Sequence, residues 1–329
     1  MATGSQAIII VTAVFLALSL VTVSLRCFVR LRVVKSFGRD DALMVAAAIS
    51  NIACAAFGIF GAVHGMGKSS GYLLLHPDDV RLGLLGWWLG QCFYIITCTL
   101  ARMSIAITLL RIAVEPIHQR ILYSVIMLST IVGIVFFFFT IFQCSPVHYY
   151  WDRTTMLNGH CLNINALLGI VYMYSGVAAV CDFTMGILPG FMIRKLQMNR
   201  RTKIAVSGIL GIACVASTAV IVRIPFLHDA NSPNFLYTTT DISIWSNIEA
   251  SLGITAGSLA VTRPFFRIFA SHAGSSQTNE DSYIMLSGNR PNVVLGRYNT
   301  PLQHPPSSRS EGSLCGDCQK SIETRRSYD

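Results

Sequence analysis

The sequence predicts an all-α, polytopic membrane protein, a bundle of seven transmembrane helices with its N-terminus outside and its C-terminus in the cytoplasm. The first observation is the composition, because hydrophobic residues make up 53% of the chain and charged residues only 12%. An ordinary soluble domain contains about 25% charged residues. The second observation is a series of seven long apolar stretches, and the third is the alternation of basic residues between them.

The seven apolar stretches are each long enough to cross a bilayer, because about 20 apolar residues in a helix cover its hydrocarbon core. The predicted spans run approximately over 7–29, 41–63, 88–110, 121–143, 166–190, 204–226 and 242–262. The third is the least obvious, since Arg102 interrupts it. Residues 1–270 therefore form the predicted transmembrane domain. Residues 271–329, rich in Ser, Asn and Pro, are predicted to be a disordered cytoplasmic tail.

The basic residues between the spans predict the orientation. The segments after the first, third, fifth and seventh spans contain 14 lysines and arginines, whereas the opposite side contains only Lys68, Arg81 and Arg153. The larger set comprises Arg26, Arg30, Arg32, Lys35, Arg39, Arg111, Arg120, Arg194, Lys195, Arg200, Arg201, Lys203, Arg263 and Arg267. Since cytoplasmic loops contain the excess of basic residues, the N-terminus is predicted outside. No nucleic-acid partner is predicted, because these residues form short clusters between apolar runs.

Two adjacent aspartates, Asp40 and Asp41, begin the second span in the stretch "GRDDALMVAA". They fall at the cytoplasmic N-terminus of a predicted helix, where free N–H groups and the helix dipole favour carboxylates. One interpretation is therefore a helix cap. The other is that the pair holds neighbouring helices together through arginines, as a switch would. Asp241 is predicted to cap the outer end of the last span.

Cys144 and Cys161 bracket the fourth loop, which is predicted to lie outside, where disulfides persist. A bridge between them would fold this loop into a cap over the bundle, although Cys92 is a rival partner near the outer end of span three. The "CGDC" of the tail is a single CxxC pair, which is weak evidence for zinc. The histidines are scattered, and the sequence predicts neither a metal site nor a cofactor.

Several segments in order resemble one family of membrane proteins. They are "GRDDALMVAA", "RMSIAITLLRI", "QCSPVHYYWD" with "GHCLN", "CDFTMGILPGFMIRKLQM", "IVRIPFL" and "DISIWSNIEASLGITAGSLAVTRPFFR". Together they resemble the fungal rhodopsin-like family of seven-helix proteins, which is related to the Pth-type fungal receptors. The resemblance covers about residues 7–270 and implies a seven-helix bundle with a receptor-like role.

The word rhodopsin does not imply a retinal pigment in this chain. A covalent retinal needs a lysine in the last span, and the sequence has no lysine between Lys203 and Lys320. It also lacks Asp-Arg-Tyr after span three and Asn-Pro-x-x-Tyr in span seven. The usual marks of coupling to a G protein are therefore missing.

Four ionisable residues lie within the predicted spans: Arg102, Asp182, Arg223 and Glu249. Such residues face the bundle interior and pair with one another, and they are candidate ligand or switch sites, although they could equally serve only to join helices. A rise of 1.5 Å per residue places Arg102 and Asp182 roughly 25 Å from the outer face. The same arithmetic places Arg223 about 6 Å and Glu249 about 11 Å deep. It predicts that Arg102 pairs with Asp182, and Arg223 with Glu249 or Asp241.

The leading functional hypothesis is a non-enzymatic, receptor-like protein that senses an unidentified small extracellular ligand. Polar and small residues surround Glu249 in span seven, which makes this helix the best candidate wall for a ligand pocket. The alternative is a transporter of a small metabolite, against which we find no internal repeat. The expected partners are the lipid bilayer, of the plasma membrane or an endomembrane, and a cytoplasmic signalling protein.

Overall fold

The computed structural model describes residues 4–68, 76–152, 158–194 and 240–262. Long helices account for most of these residues. They are α1 (Gly4–Phe28, continued by a π-helical turn at Val29–Val33), α2 (Arg39–His64), α3 (Pro77–Ile112), α4 (Pro116–Ile141), α5 (Ile164–Arg194) and α6 (240–262). Two short strands, β1 (Cys144–Ser145) and β2 (His160–Cys161), flank a 3-10 turn at Val147–Tyr150.

The chain is a helical membrane protein. Among the described residues, five helices are long and apolar enough to cross a bilayer, and they coincide with the first five predicted spans. Helix α6 occupies the predicted seventh span. The predicted sixth span, 204–226, lies outside the described residues, as do Arg223 and the tail at 271–329. The total of seven helices therefore stays a prediction.

Helix α3 begins well before the span that the sequence predicts. The expected start was residue 88, whereas the helix begins at Pro77 and runs for 36 residues. Pro77 lies in the first turn, where its fixed φ suits a helix and its missing N–H costs nothing. Asp78 and Asp79 in the same turn complement the positive end of the helix dipole. Local helix-start signals thus extend α3 beyond the apolar segment that defined the prediction.

Helix α3 is central among the described helices. It packs against α2 on one side and against α4 and α5 on the other, and α6 contacts α1, α2 and α3. Helices α2 and α3 approach closely at two glycines, since a Cβ atom on Gly86 would lie 2.8 Å from the Cα of Gly61. Small residues at such crossings let membrane helices approach and maximise van der Waals contact.

The outward face of α4 is apolar and exposed. Met127, Ile131, Ile134, Val135 and Phe138 are each more than half exposed. In water such a surface would be costly, but a bilayer provides hydrocarbon against it. The polar side chains are instead buried between the helices.

Candidate functional site

Buried polar side chains line the interior face of α6. They are Ser243, Asn247, Glu249, Ser251, Thr255, Ser258 and Thr262. Several of these side chains hydrogen-bond to their own helix, as when Thr255 Oγ1 donates to the Ser251 carbonyl at 2.7 Å. Asn51 of α2 donates to Ser251 of α6 and to Ser19 of α1, both at 3.3 Å. These small polar side chains therefore bring three helices close together.

Arg102 and Asp182 form a bidentate ion pair between α3 and α5. Arg102 Nε donates to Asp182 Oδ1 at 2.8 Å and the second nitrogen donates to Oδ2 at 3.0 Å. This is the pair that the arithmetic along the spans predicts. Two parallel bonds fix the orientation of both groups and are stronger than bonds between neutral groups.

Glu249 contacts the same guanidinium, at 3.2 Å between Arg102 and its Oε1. The depths predicted for Arg102 and Glu249, roughly 25 Å and 11 Å from the outer face, therefore did not anticipate this contact. That arithmetic located Cα atoms along untilted helices, whereas long side chains extend several ångströms along the bundle and helices tilt. The Tyr94 hydroxyl donates to Oε2 of the same carboxylate at 2.7 Å. We call Tyr94, Arg102, Asp182 and Glu249 the Arg102 cluster.

The Arg102 cluster contains two carboxylates and one guanidinium among the described residues. Arg102 and Glu249 are buried, and the Asp182 side chain is nearly so. Arg223, the predicted partner of Glu249, lies outside the described residues, so that pairing stays a prediction. Asp241, the alternative partner and predicted cap, is an exposed residue in the first turn of α6.

A second charged cluster lies at the opposite end of the bundle from the disulfide-bonded loop. Arg26 of α1 is 0% exposed and donates to Asp41 Oδ1 at 2.8 Å and to Asp40 Oδ2 at 3.0 Å. It also donates to the carbonyl of Gly257 in α6 at 3.0 Å. The guanidinium of Arg111, at the end of α3, lies 2.8 Å from Asp40 Oδ1. This Arg26 cluster, comprising Arg26, Asp40, Asp41 and Arg111, joins α1, α2, α3 and α6.

The structure combines both interpretations of the paired aspartates. Asp41 Oδ2 accepts a hydrogen bond from the Gly38 N–H at 3.0 Å, which is the contact of a helix cap. Its other oxygen and both oxygens of Asp40 bind arginines. A side chain at position 38 would collide with the Arg111 guanidinium. The pair therefore both starts α2 and joins it to neighbouring helices.

The loop after α4 is closed by a disulfide between Cys144 and Cys161. These residues are directly paired between β1 and β2, and Leu162 N–H donates to the Gln143 carbonyl at 2.9 Å. Cys92, the rival partner, is a buried free thiol. Trp151 of this loop packs on Trp88 of α3, with ring centroids 5.3 Å apart. The predicted disulfide between Cys144 and Cys161 is thus confirmed, and its loop packs on α3.

Replacing both Cys144 and Cys161 with serine is expected to lower the free energy of unfolding. The bridge closes a loop of 17 residues, which in the chain-entropy model corresponds to roughly 3 kcal/mol. Thermal unfolding of the purified protein should show a Tm several degrees lower, and wild type treated with reductant should match the variant. Cys27→Ser is the control. It should leave the Tm and the effect of the reductant as they are in the wild type. An unchanged Tm in the double variant would contradict the stabilising role of the bridge.

A pocket lies between α2, α3 and α6, next to the Arg102 cluster. Its empty space of about 420 Å³ includes space open to the surroundings, so the enclosed part is much smaller. Residues from all three helices line it, among them Gly58, Trp87, Tyr94, Ser246 and Asn247. Tyr94 belongs to both features, because it lines the pocket and its hydroxyl binds Glu249. A molecule in the pocket would contact the charged cluster through this tyrosine.

Sequence reasoning did not single out Arg26 or Tyr94. Arg26 was counted only as a loop cation, although it lies one residue before Cys27 within an apolar stretch. Its spacing from Arg30 places both on one helical face towards Asp40 and Asp41, which is a signal that the sequence contains. Tyr94 has no comparable signal, because aromatic residues are common in membrane spans. Only packing reveals its contact with Glu249.

Comparison with known proteins gives one family match. The family model for the fungal rhodopsin domain matches residues 25–268. The match covers every described residue of both charged clusters, of the pocket and of the disulfide-bonded loop. No solved structure matches the chain.

Three curated relatives are similar to this chain. An SAT4 family membrane protein of Emericella nidulans is 31% identical over 156 residues, which is 44% of this chain and 38% of the relative. Wortmanamides biosynthesis cluster protein C of Talaromyces wortmannii is 26% identical, covering 78% of this chain and 69% of the relative. Polyenoic acids biosynthesis gene cluster protein Ba17b of Metarhizium anisopliae is 21% identical, covering 77% of this chain and 71% of the relative. The chain thus spans little more than a third of the first relative and about 70% of the other two.

Proposed function

This chain belongs to the fungal rhodopsin domain family, and we propose that it is a non-enzymatic, receptor-like protein of seven transmembrane helices. In this proposal a small extracellular ligand enters the pocket between α2, α3 and α6. Its binding alters the Arg102 cluster and, through α6, the Arg26 cluster at the other end of the bundle. The cytoplasmic ends of the helices would then shift and present a changed surface to a cytoplasmic signalling protein.

The observation that supports this proposal is the continuous set of contacts that begins at the pocket. Tyr94 lines the pocket and donates to Glu249 at 2.7 Å. Glu249 lies on α6, eight residues before Gly257, whose carbonyl accepts a hydrogen bond from Arg26 at 3.0 Å. Eight residues of helix correspond to about 12 Å, so a small shift of α6 would disturb both charged clusters together. Both charged clusters therefore contact the same helix, α6.

The names of two relatives suggest the kind of ligand. They are described as proteins of biosynthesis clusters for wortmanamides and for polyenoic acids. A membrane protein that senses a metabolite of such a pathway would fit both those names and a pocket with a largely apolar lining. We extend this to the present chain as a hypothesis only about the class of ligand, a small and mostly apolar metabolite.

The orientation in this proposal follows from the basic residues and can be tested with a glycosylation tag. A tag with an Asn-x-Ser/Thr acceptor placed before Met1 should be glycosylated in the secretory pathway, whereas the same tag after Asp329 should not. This readout works for the plasma membrane and for endomembranes alike. The loop closed by Cys144 and Cys161 should lie on the glycosylated side. Glycosylation of the C-terminal tag alone would reverse the assignment.

A distance measurement can separate a receptor from a transporter. Spin labels at Val34 and Val114, which are both exposed, would report movement between the ends of α1 and α3. Fractions of small apolar molecules extracted from fungal culture medium should include one that changes this distance in lipid nanodiscs. The same fraction should enter liposomes that contain the protein no faster than it enters protein-free liposomes. Faster entry in the presence of the protein would favour the transporter alternative.

Tyr94→Phe is expected to weaken the coupling between ligand binding and this movement. It removes a hydrogen bond to a charged group, which typically contributes about 1.5–3 kcal/mol. Binding of the active fraction should fall less than the distance change does. Tyr123→Phe is the matched control, because Tyr123 is 60% exposed on α4 and should behave as wild type. Equal loss of binding and of movement would make Tyr94 a ligand contact without a coupling role.

A further inference from the structure

The connection between α1 and α2 exposes apolar and basic side chains together. Every residue from 31 to 37 is exposed. Four of them are large apolar residues that are between 42% and 57% exposed, namely Leu31, Val33, Val34 and Phe37. A run of this kind is costly in water, whereas the boundary between headgroups and acyl chains accommodates apolar and basic side chains side by side. The segment directly continues α1, so it lies next to that boundary.

The cations of this segment have no acidic partner within the described part of the chain. Arg32, Lys35 and Arg39 are exposed and form no ion pair with any residue that the structure describes. The adjacent Asp40 and Asp41 are buried, and their carboxylates already bind other arginines. Three cations are therefore left to a partner outside the chain.

The neighbouring connection between α3 and α4 has the same character. Arg111 binds Asp40 at 2.8 Å, yet its side chain is still 42% exposed, and Arg120 is exposed in α4. Three apolar residues beside them are at least 60% exposed: Ile112, Val114 and Ile117. We call residues 28–39 and 111–120 the juxtamembrane surface. Its two segments contain six lysines and arginines but only one carboxylate, that of Glu115.

The backbone of the first segment adopts two uncommon conformations. The Val34 N–H donates to the Val29 carbonyl, five residues earlier, at 2.9 Å and closes a π-helical turn. Lys35 follows with a φ of 50°, in the left-handed region that glycine or asparagine adopts more easily. Such conformations are costly and concentrate at functional sites. Here they end the helical segment and leave the Lys35 side chain exposed at the turn.

We propose that the juxtamembrane surface binds the anionic headgroups of phospholipids. Its exposed cations contact the phosphates and carboxylates of the headgroups, and its apolar side chains lie against the upper acyl chains. Basic residues next to a membrane span are attracted to anionic lipids, which in cells concentrate in the cytoplasmic leaflet, the side predicted for this end. An acidic protein would match the cations alone, whereas a lipid matches the cations and the apolar residues between them. This binding needs no ligand in the pocket between α2, α3 and α6.

Native mass spectrometry of the full chain in detergent can measure this binding. Phosphatidylserine and phosphatidylcholine with identical acyl chains are titrated in turn, and the apparent Kd of each lipid is determined. Lys35→Gln and Lys68→Gln are a matched pair, because each removes one lysine near an end of α2, and the two lysines lie at opposite ends of that helix. Lys35→Gln combined with Arg32→Gln removes two exposed cations of the juxtamembrane surface. All variants are first compared by size-exclusion chromatography, where they should elute as wild type does.

Phosphatidylserine should bind more tightly than phosphatidylcholine to wild type and to Lys68→Gln. Lys35→Gln should weaken phosphatidylserine binding roughly 5-fold, the effect of one basic residue at an anionic surface, and the added Arg32→Gln should weaken it by about as much again. Phosphatidylcholine should bind all variants alike, and added salt should reduce the preference for phosphatidylserine.

Three results would overturn the proposal. They are equal binding of the two lipids to wild type, a preference for phosphatidylserine that survives in the double variant, and an equal loss in Lys35→Gln and Lys68→Gln. Poly-glutamate is the probe for the competing class of partner. If its binding depends on Lys35 while the two lipids bind alike, the surface fits an acidic protein and not a lipid headgroup.

Discussion

Replacing Arg26 with leucine is expected to remove most of the folded protein from the membrane. Arg26 is completely buried and binds Asp40, Asp41 and the Gly257 carbonyl. Without it, two buried carboxylates depend on Arg30 and Arg111, whose side chains are 13% and 42% exposed. Breaking a buried ion pair by removing one partner costs about 3–5 kcal/mol. That is a large fraction of the 5–15 kcal/mol typical of a folded protein.

Size-exclusion chromatography of a fluorescent fusion after mild solubilisation would measure the folded fraction of each variant. Arg32→Leu is the matched control, because Arg32 is exposed on the next turn of the same helical segment. Adding Asp41→Asn to Arg26→Leu should recover part of the yield, since it removes one of the uncompensated carboxylates. A monodisperse peak for Arg26→Leu equal to that of Arg32→Leu would show that the cluster does not stabilise the bundle.

Exchanging the charges of Arg102 and Asp182 is expected to restore part of the folded yield and stability that either single change removes. Arg102→Asp would place three carboxylates together, at positions 102, 182 and 249, and should be the most damaging of the variants. Asp182→Arg would leave two guanidinium groups beside Glu249. The double variant restores one cation beside two carboxylates, although not the bidentate geometry of 2.8 and 3.0 Å. Each single change should cost about 3–5 kcal/mol, and the double change less than their sum.

The free energies of unfolding of the four proteins, wild type included, give the coupling free energy. Glu249→Gln provides an internal comparison. The Glu249 carboxylate contacts Arg102 at 3.2 Å through one oxygen, whereas the Asp182 carboxylate accepts two shorter hydrogen bonds. Neutralising Glu249 should therefore cost less than Asp182→Asn. Additive losses in the charge exchange would mean that the two residues are not coupled, despite the short distance between their side chains.

The first five membrane helices and the disulfide were predictable because their signals are local. A helix that crosses a bilayer needs about 20 apolar residues, and this requirement is visible in any window of the chain. Cys144 and Cys161 lie at the two ends of one loop, so their pairing needs no knowledge of the rest of the fold. The error at α3 has the same origin. Pro77, Asp78 and Asp79 are local helix-start signals that an apolar window does not count.

The arrangement of the buried charges was only partly predictable. Matched depth was enough to pair Arg102 with Asp182, because hydrocarbon forces charges inward and leaves them few partners. It failed for Glu249, since depth along a helix says nothing about which way a side chain extends. The sequence also supplied both interpretations of Asp40 and Asp41 without deciding between them, because it did not identify Arg26 as their buried partner.

The sequence by itself determined that this chain is a helical membrane protein, which family it resembles and which few charges lie among its apolar residues. These properties depend on composition and short-range order, to which the bilayer responds directly. The tertiary structure alone decided that Tyr94 joins a pocket to Glu249, and that Arg26 binds two aspartates together with a carbonyl 231 positions away in the chain. Such contacts depend on the rotation and tilt of each helix. Those are set by the packing of all neighbouring helices together, which no single segment of the sequence encodes.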